Sequence, residues 1–151
     1  MKAIIQLVKH AKVTVDGTVR GSINQGFLVL LGIEQTDTLA DAEILAQKTA
    51  NLRIFCDSDD KMNLSLLQVE GQALVISNFT LCANTKKGNR PSFTNAMHPE
   101  AAQEMYDKFC LLLKENGVQT VEKGIFGADM QVELLNDGPV TITLDTTIWR
   151  Q

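Results

Sequence analysis

The chain has few of the residues that build disulfide frameworks and zinc sites. Its 151 residues include three cysteines and two histidines. Cys56, Cys82 and Cys110 lie far apart in apolar surroundings, which predicts reduced core thiols in a cytoplasmic protein rather than a disulfide scaffold. His10 and His98 have no cysteine or histidine close by in the sequence, which argues against a zinc site. We therefore expect neither a metal nor a cofactor.

The sequence also lacks a hydrophobic run long enough to cross a membrane. Its first eight residues are mostly apolar, but Lys9 interrupts them and no small-residue cleavage pattern follows, so a strand is expected there rather than a signal peptide. Hydrophobic residues make up 44% of the chain, which is enough for a core. These features predict one domain over residues 1–151, in the cytoplasm and without a membrane partner.

Acidic residues are absent from one long stretch of the chain. The net charge of −4 argues against a general nucleic-acid partner, and no DNA partner is expected. Yet residues 71–99 contain no Asp or Glu, while Lys86, Lys87 and Arg90 all fall there. Two interpretations stay open at this point: a basic face on an acidic protein, or a solvated loop with ordinary lysines.

The hydrophobic pattern predicts strands at both ends of the chain and two helices between them. Strands are expected at residues 3–8, 12–15, 18–23, 26–33, 73–81, 119–122, 130–135 and 140–144. The first helix should begin at 36–38 and end near Arg53, and the second should open at Pro99 and end at Asn116-Gly117. This order predicts an α+β fold with a mixed, largely antiparallel sheet.

A Gly-Pro step interrupts the β-rich C-terminal segment. Residues 136–141 read Asn-Asp-Gly-Pro-Val-Thr. Proline cannot donate to a sheet ladder, and glycine lets another group approach the backbone closely. Gly138 and Pro139 therefore predict a rigid element, almost free of side chains, that suits the recognition of shape rather than charge.

Two hydroxyls end the predicted strand 73–81. Residues 77–81 read Ser-Asn-Phe-Thr-Leu, which is compatible with a nucleophile, an anion-binding turn or an ordinary strand end. A serine nucleophile needs a base that a third group orients, and the chain has no Gly-x-Ser-x-Gly segment. A Ser-His-Asp hydrolase is therefore disfavoured.

Two further segments have the composition of binding loops. Residues 84–93 combine Lys86, Lys87 and Arg90 with amide and hydroxyl donors that suit phosphate oxygens, although their spacing is not that of a P-loop. Residues 124–130 place Phe126 and Met130 among small residues. These two side chains either wall an apolar pocket or belong to the core beside a turn.

Together, these segments resemble the D-aminoacyl-tRNA deacylase family. Residues 77–80 resemble its Ser-Gln-Phe-Thr signature, and residues 136–141 match its Asn-x-Gly-Pro-x-Thr signature in full. Residues 51–55, 61–64, 90–93 and 126–130 also resemble family segments. One position departs from the family: Asn78 stands where the family has Gln, which keeps the amide but shortens its reach by one methylene.

The resemblance implies a homodimer with a barrel-like sheet that hydrolyses the ester between a D-amino acid, or glycine, and the 3′ end of tRNA. It implies that Gly138 and Pro139 form a cis peptide that reaches into the partner's site and excludes L side chains. The ribose 2′-OH next to the ester would assist the reaction, so positioning and oxyanion-type hydrogen bonds would suffice.

The resemblance also suggests roles for individual residues. Ser77, the backbone near Phe79 and the Thr80 hydroxyl would form the catalytic group. Asn78, Phe126, Met130, Gly138 and Pro139 would contact the substrate, and Lys86, Lys87 and Arg90 would contact tRNA phosphates.

Three rival interpretations remain. The first is a small-ester hydrolase that forms an acyl-enzyme at Ser77 or Thr80. The second is a related editing enzyme for L-amino acids, which Ser77 and Phe79 disfavour because that branch carries Pro-Gln-Ala-Thr at this segment. The third is a dimeric RNA-binding module without activity.

Overall fold

The computed structural model describes residues 1–150 and has an α+β architecture, as predicted. The strands are β1 (Lys2–Val15), β2 (Thr18–Ile23), β3 (Gly26–Gly32), β4 (Phe55–Cys56), β5 (Met62–Leu64), β6 (Gln72–Ser77), β7 (Val121–Lys123) and β8 (Gln131–Asp145). The helices are α1 (Leu39–Asn51) and α2 (Pro99–Glu115). No helix within residues 1–150 combines the length and apolarity needed to cross a bilayer.

Six strands form one mixed sheet that curls into a nearly closed barrel. The hydrogen-bonded order is β2-β1-β3-β6-β7, and β8 pairs with the other side of β1. The pairs of β1 with β2, β3 and β8 are antiparallel, whereas β3–β6 and β6–β7 are parallel. β2 approaches β7 from the far side, since a Cβ at Gly21 would lie 2.8 Å from the Lys123 carbonyl oxygen.

β1 is one continuous strand, so the prediction of two strands at 3–8 and 12–15 was wrong. The strand stays paired with β8 but carries an irregularity, because Val8 pairs with Asn136 and His10 with Leu135, leaving Lys9 extra. Because side chains alternate between the two faces of a strand, one extra residue moves every later side chain to the opposite face. Ile5 packs in the cluster shared with the helices, whereas Val13 packs in a second cluster formed by strands.

β8 is also continuous, where two strands at 130–135 and 140–144 were predicted. Gln6 of β1 pairs with Thr141, and Val8 pairs with Asn136. One residue of β1 therefore faces residues 137–140 of β8, which bulge out of the ladder. The peptide bond between Gly138 and Pro139 is cis. Pairing resumes on both sides of the bulge, so the polar segment does not end the strand.

The two helices pack together on one side of the sheet, around the larger cluster. Thr38 is the N-cap of α1, and its backbone N–H donates to Asp41 Oδ2 at 2.8 Å. α1 ends at Asn51, two residues before the predicted end. α2 begins at Pro99 as predicted and buries Tyr106 and Phe109 in the core.

The cysteine prediction holds for two of the three thiols. Cys82 and Cys110 are buried, and burial raises the pKa of the Cys110 thiol to about 12. Cys56 is exposed in the short strand β4, so its prediction as a core thiol was wrong. Side chains alternate along β4, so burial of Phe55 leaves Cys56 on the solvent side, which the surrounding sequence did not reveal.

A charged cluster joins the first residue to the C-terminal segment. The α-ammonium group of Met1 contacts the buried Asp37 and donates to Thr146 Oγ1 at 2.6 Å. Arg150 donates to Asp37 at 2.6 Å and to Asp41 at 3.0 Å. Burial acts to raise the pKa of Asp41, but hydrogen bonds from Arg150 and Thr38 outweigh it and hold that pKa well below its usual range.

Candidate active site

A cavity of about 890 Å³ opens where the parallel strands β3 and β6 end. Carboxyl ends of parallel strands lie at one edge of a sheet, so the segments that leave them meet there. The walls come from β3, the segment after β6, the residues before and within α2, the loop before β8 and the start of β8. The residues lining it include Leu30, Leu31, Ile76, Ser77, Asn78, Phe79, Thr80, Phe93, Thr94, His98, Ala102, Phe126, Asp129 and Met130.

The segment after β6 is a tight turn rather than the predicted end of a longer strand. β6 ends at Ser77, and a 3₁₀ turn, Phe79–Cys82, follows. The Asn78 backbone N–H donates to the Leu31 carbonyl at 2.8 Å, which ties the start of the turn to β3. Gly32 makes this approach feasible, because a Cβ there would lie 2.7 Å from Leu81 Cβ.

Ser77 and Thr80 both line the cavity, but neither is arranged as a serine-protease nucleophile. The Thr80 hydroxyl donates to Asn78 Oδ1. Within residues 1–150, neither hydroxyl makes a hydrogen bond to a histidine, although His98 lines the same cavity. A hydroxyl without an oriented base is a poor nucleophile at neutral pH. The geometry suits positioning and hydrogen bonding better than acyl-enzyme formation.

Phe79 presents an aromatic ring to the cavity mouth. The residue is 59% exposed, which is unusual for a large apolar side chain. Its ring meets Phe93 edge-on, with centroids 5.1 Å apart and planes at 73°. Because Phe93 follows the basic loop, this pair links that loop to the cavity.

Phe126 and Met130 form an apolar wall, as one of the two interpretations of their segment proposed. Both are half-buried and line the cavity. The Phe126 ring lies 6.0 Å from that of Tyr106 in α2, and Met130 packs against the strand cluster. The floor of the cavity is therefore anchored to both parts of the core.

The cations of the basic loop lie next to the cavity without lining it. Asn84 and Ser92 exchange backbone hydrogen bonds of 2.7 and 3.0 Å, which closes the loop into a hairpin. Lys86, Lys87 and Arg90 are exposed on its tip, and no ion pair is recorded for them in the described part of the chain. Three exposed cations on one tip form a surface that attracts anions.

Gly138 and Pro139 do not line the cavity of their own chain. Both are exposed on the bulge of β8. Gly138 follows Met130, which does line the cavity, by eight residues. The regular ladder between Gln131 and Asn136 alone spans five residues, or about 17 Å along the strand. A single chain thus brings together the predicted site residues around Ser77 and Met130. Gly138, Pro139 and the cations of the basic loop lie outside this cavity.

Sequence reasoning missed the wall that comes from α2. His98, Pro99 and Ala102 line the cavity, and the helix directs its N-terminus toward it. Pro99 signalled the start of a helix, but only the packing of α2 on the sheet reveals where that start lies. Asp129 adds an exposed carboxylate to the same cavity. Within residues 1–150, no three His, Cys, Asp or Glu side chains gather as metal ligands would.

Comparison with protein families gives a match over nearly the whole chain. Residues 4–145 match the family described as D-Tyr-tRNA(Tyr) deacylase. That match includes all the segments around the cavity and the bulge of β8.

Curated relatives carry the same kind of name. The chain is 57% identical to D-aminoacyl-tRNA deacylase of Fusobacterium nucleatum over 97% of its own length and 96% of the relative's. It is 53% identical to the protein of that name from Anaeromyxobacter dehalogenans and 52% identical to that from Fervidobacterium nodosum, each over 97% of both chains.

Two solved structures share the fold. The chain superposes on c-Myc DNA unwinding element binding protein with a TM-score of 0.91 and 41% identity, covering 96% of this chain and 98% of that one. A structure described as a probable eukaryotic D-amino acid tRNA deacylase gives a TM-score of 0.82 at 17% identity, covering 95% and 97%. The second likeness concerns the fold alone.

Proposed function

The chain belongs to the D-Tyr-tRNA(Tyr) deacylase family, whose members hydrolyse the ester bond of aminoacyl-tRNA, and we propose how its residues select and process a D-aminoacyl or glycyl substrate. The observation that carries the proposal is the cavity at the ends of β3 and β6. It joins hydroxyl and amide groups from residues 77–80 to the apolar wall of Phe126 and Met130. Such a cavity holds an amino-acid ester and leaves its polar end beside hydrogen-bond donors.

The chemistry proposed is hydrolysis by positioning. The substrate ester lies beside a ribose 2′-OH that assists attack, so the protein supplies orientation and hydrogen bonds for the charge that develops on the carbonyl oxygen. Ser77 Oγ and the backbone N–H groups near Phe79 are the proposed donors. Among residues 1–150, no histidine makes a hydrogen bond to the Thr80 hydroxyl, which favours this mechanism over an acyl-enzyme.

Chiral selection is assigned to Gly138 and Pro139 of a second subunit. These residues are exposed and do not line the cavity of their own chain, so a role in substrate selection requires them to enter another chain's cavity. There, a backbone wall would clash with an L side chain and leave a D side chain free. Glycine has no side chain to reject, so glycyl-tRNA is an expected second substrate.

Homodimerisation has independent support in β8. This strand of 15 residues pairs with β1 along one edge, and no strand within residues 1–150 pairs with its other edge. Long open edges promote association, and natural proteins cover or disrupt them.

The tRNA acceptor end is the proposed macromolecular ligand. The Lys86, Lys87 and Arg90 tip stands beside the cavity through Phe93, where it would meet phosphates next to the aminoacylated nucleotide. Such contacts are independent of sequence and sensitive to salt. We place the activity in the cytoplasm, where charged tRNA is used. In measurements of tRNA binding, duplex DNA of matched length is the comparison ligand, because one structural neighbour is described as a DNA-binding protein.

Subunit mixing tests the composite site. One subunit carries Gly138→Ala and the other Ser77→Phe, which fills the cavity. If each site takes its cavity from one chain and its bulge from the other, a mixed dimer has one intact site, although both parent dimers have none. Random reassortment should then restore about a quarter of the wild-type sites.

The readout is deacylation of D-tyrosyl-, L-tyrosyl- and glycyl-tRNA. Recovered D-tyrosyl turnover in the mixture supports the composite site. No recovery, with mixed dimers shown by mass spectrometry, contradicts it. Wild-type protein that binds tRNA without hydrolysing any of the three substrates contradicts the function itself and supports the RNA-binding module.

A further inference from the structure

Thr80 and Asn78 are joined by a side-chain contact at the cavity. The Thr80 hydroxyl donates its proton to Asn78 Oδ1, and both residues line the cavity. Thr80 is exposed, so its oxygen remains open on the cavity side. The contact spans two residues along the chain, which is the short reach typical of Asn and Asp side chains.

The backbone of Asn78 is fixed on both sides. Its N–H donates to the Leu31 carbonyl of β3 at 2.8 Å, and its carbonyl accepts from the Leu81 N–H at 3.3 Å. Gly32 lets the turn lie against β3. The side chain of Asn78 therefore projects from a rigid base, and its amide oxygen has a defined position relative to Thr80.

This contact decides what Thr80 can offer to a ligand. A hydroxyl has one proton and two lone pairs. Since the proton is directed to Asn78, the oxygen faces the cavity as an acceptor. Acceptors suit hydrogen-bond donors of the substrate, and an aminoacyl-nucleotide carries two near its ester: the ribose hydroxyl and the α-ammonium group.

We propose that Asn78 is a positioning residue that orients the Thr80 hydroxyl as a hydrogen-bond acceptor for a donor group of the substrate. This inference rests on the proposed function and assigns a role to the position where this chain departs from the family signature. A glutamine there would carry its amide one methylene further from the backbone, so the short two-residue contact seen here is a feature of asparagine at this position.

A double-mutant cycle on deacylation of D-tyrosyl-tRNA tests the coupling. Asn78→Ala and Thr80→Val should each lower kcat/KM about tenfold, the effect of one hydrogen bond. Because both remove the same interaction, the double variant should be no slower than Thr80→Val alone. Asn78→Asp keeps an acceptor oxygen at the same reach and should recover most of the rate. The losses should appear in kcat, with the affinity for uncharged tRNA unchanged.

Two modified substrates identify the donor. If it is the ribose hydroxyl, Asn78→Ala should have no effect on a substrate with a 2′-hydrogen. If it is the ammonium group, the effect should vanish on tRNA esterified with 3-(4-hydroxyphenyl)propionate, the tyrosyl analogue that has no amino group. Losses that multiply in the double variant overturn the proposal, as does an effect of Asn78→Ala that persists on both substrates. If the wild type hydrolyses D-tyrosyl-tRNA, either of these results overturns only the role of Asn78 and leaves the proposed function intact. If the wild type does not hydrolyse this substrate, the proposed function itself is contradicted.

Discussion

Gly138 and Val140 lie so close that no side chain fits between them. A Cβ at Gly138 would lie 2.8 Å from the Val140 backbone nitrogen and 2.9 Å from its Cγ2, and the φ of Gly138 is +140°. L residues rarely adopt this backbone region. The bulge of β8 thus depends on glycine through contacts within its own chain.

Gly138→Ala should therefore reshape the bulge and lower turnover of D-tyrosyl-tRNA about a hundredfold, while tRNA affinity stays within about twofold. Single-turnover kinetics and filter binding measure the two effects. Gly17→Ala is the matched control, because Gly17 also has a positive φ, of +76°, with no atom within 4 Å of the added methyl. Equal losses in both variants would contradict a role for the bulge in the reaction.

Removal of two loop cations should weaken tRNA binding without changing chiral choice. Lys86→Ala with Lys87→Ala removes two exposed cations, and each lost phosphate contact lowers the slope of log affinity against log salt by about one. Affinity measured from low to moderate salt gives this slope. Lys108→Ala with Lys114→Ala, further along α2 from the cavity, is the control of equal charge. Loss of D/L discrimination at unchanged affinity would assign the lysines a different role.

Thr80→Ala should retain measurable deacylation, at about a tenth of the wild-type rate, because no histidine is bonded to this hydroxyl among the described residues. Replacing the terminal 2′-OH of the tRNA by hydrogen should slow the reaction more. Quenched-flow rates with both substrates provide the comparison. Complete loss of turnover in a folded variant that binds tRNA, or a covalent adduct at Thr80, would favour the acyl-enzyme interpretation.

Asp41 should contribute stability that disappears in acid. Its pKa in the folded protein lies below the ordinary 3.8, so the ionised form stabilises the fold above that pH, and the contribution is lost as pH falls through the folded value. Asp41→Asn should lower Tm at pH 7 by about 3 °C, as expected for about 1 kcal/mol. The difference from wild type should narrow below pH 3.8. Glu43→Gln, an exposed change on the same helix, should leave the profile unchanged.

The element types followed from the sequence because the local patterns agreed with the final packing. Pro99 and the apolar stripe through Tyr106 and Phe109 defined α2, and the apolar run at 26–33 gave the central strand β3. The continuity of β1 and β8 was not predictable from the sequence. Each strand continues past its bulge because it stays paired with the other, and the two strands are distant in the chain. Periodicity reports one strand at a time, so a bulge resembles a break.

The site was predicted in part for a similar reason. Ser77, Thr80 and Phe126 belong to segments whose composition marks them, and the cavity brings them together. No sequence pattern identifies His98 and Ala102 as site residues, because the start of α2 lines the cavity only as a result of how the helix packs on the sheet. Cys56 was assigned to the core from its neighbours, but Phe55 takes the buried face of β4 and Cys56 the exposed face.

The bulge at residues 137–140 is an insertion between two intact stretches of ladder, Thr141 with Gln6 on one side and Asn136 with Val8 on the other. A change in the length of this insertion need not shift the pairing of the ladder on either side of it, although the present shape of the bulge requires Gly138. A graft of other short segments between Asn136 and Thr141 is therefore expected to change the proposed selection element while the β1–β8 ladder on both sides stays paired. The proposed specificity element and the scaffold are thus separable parts of one strand.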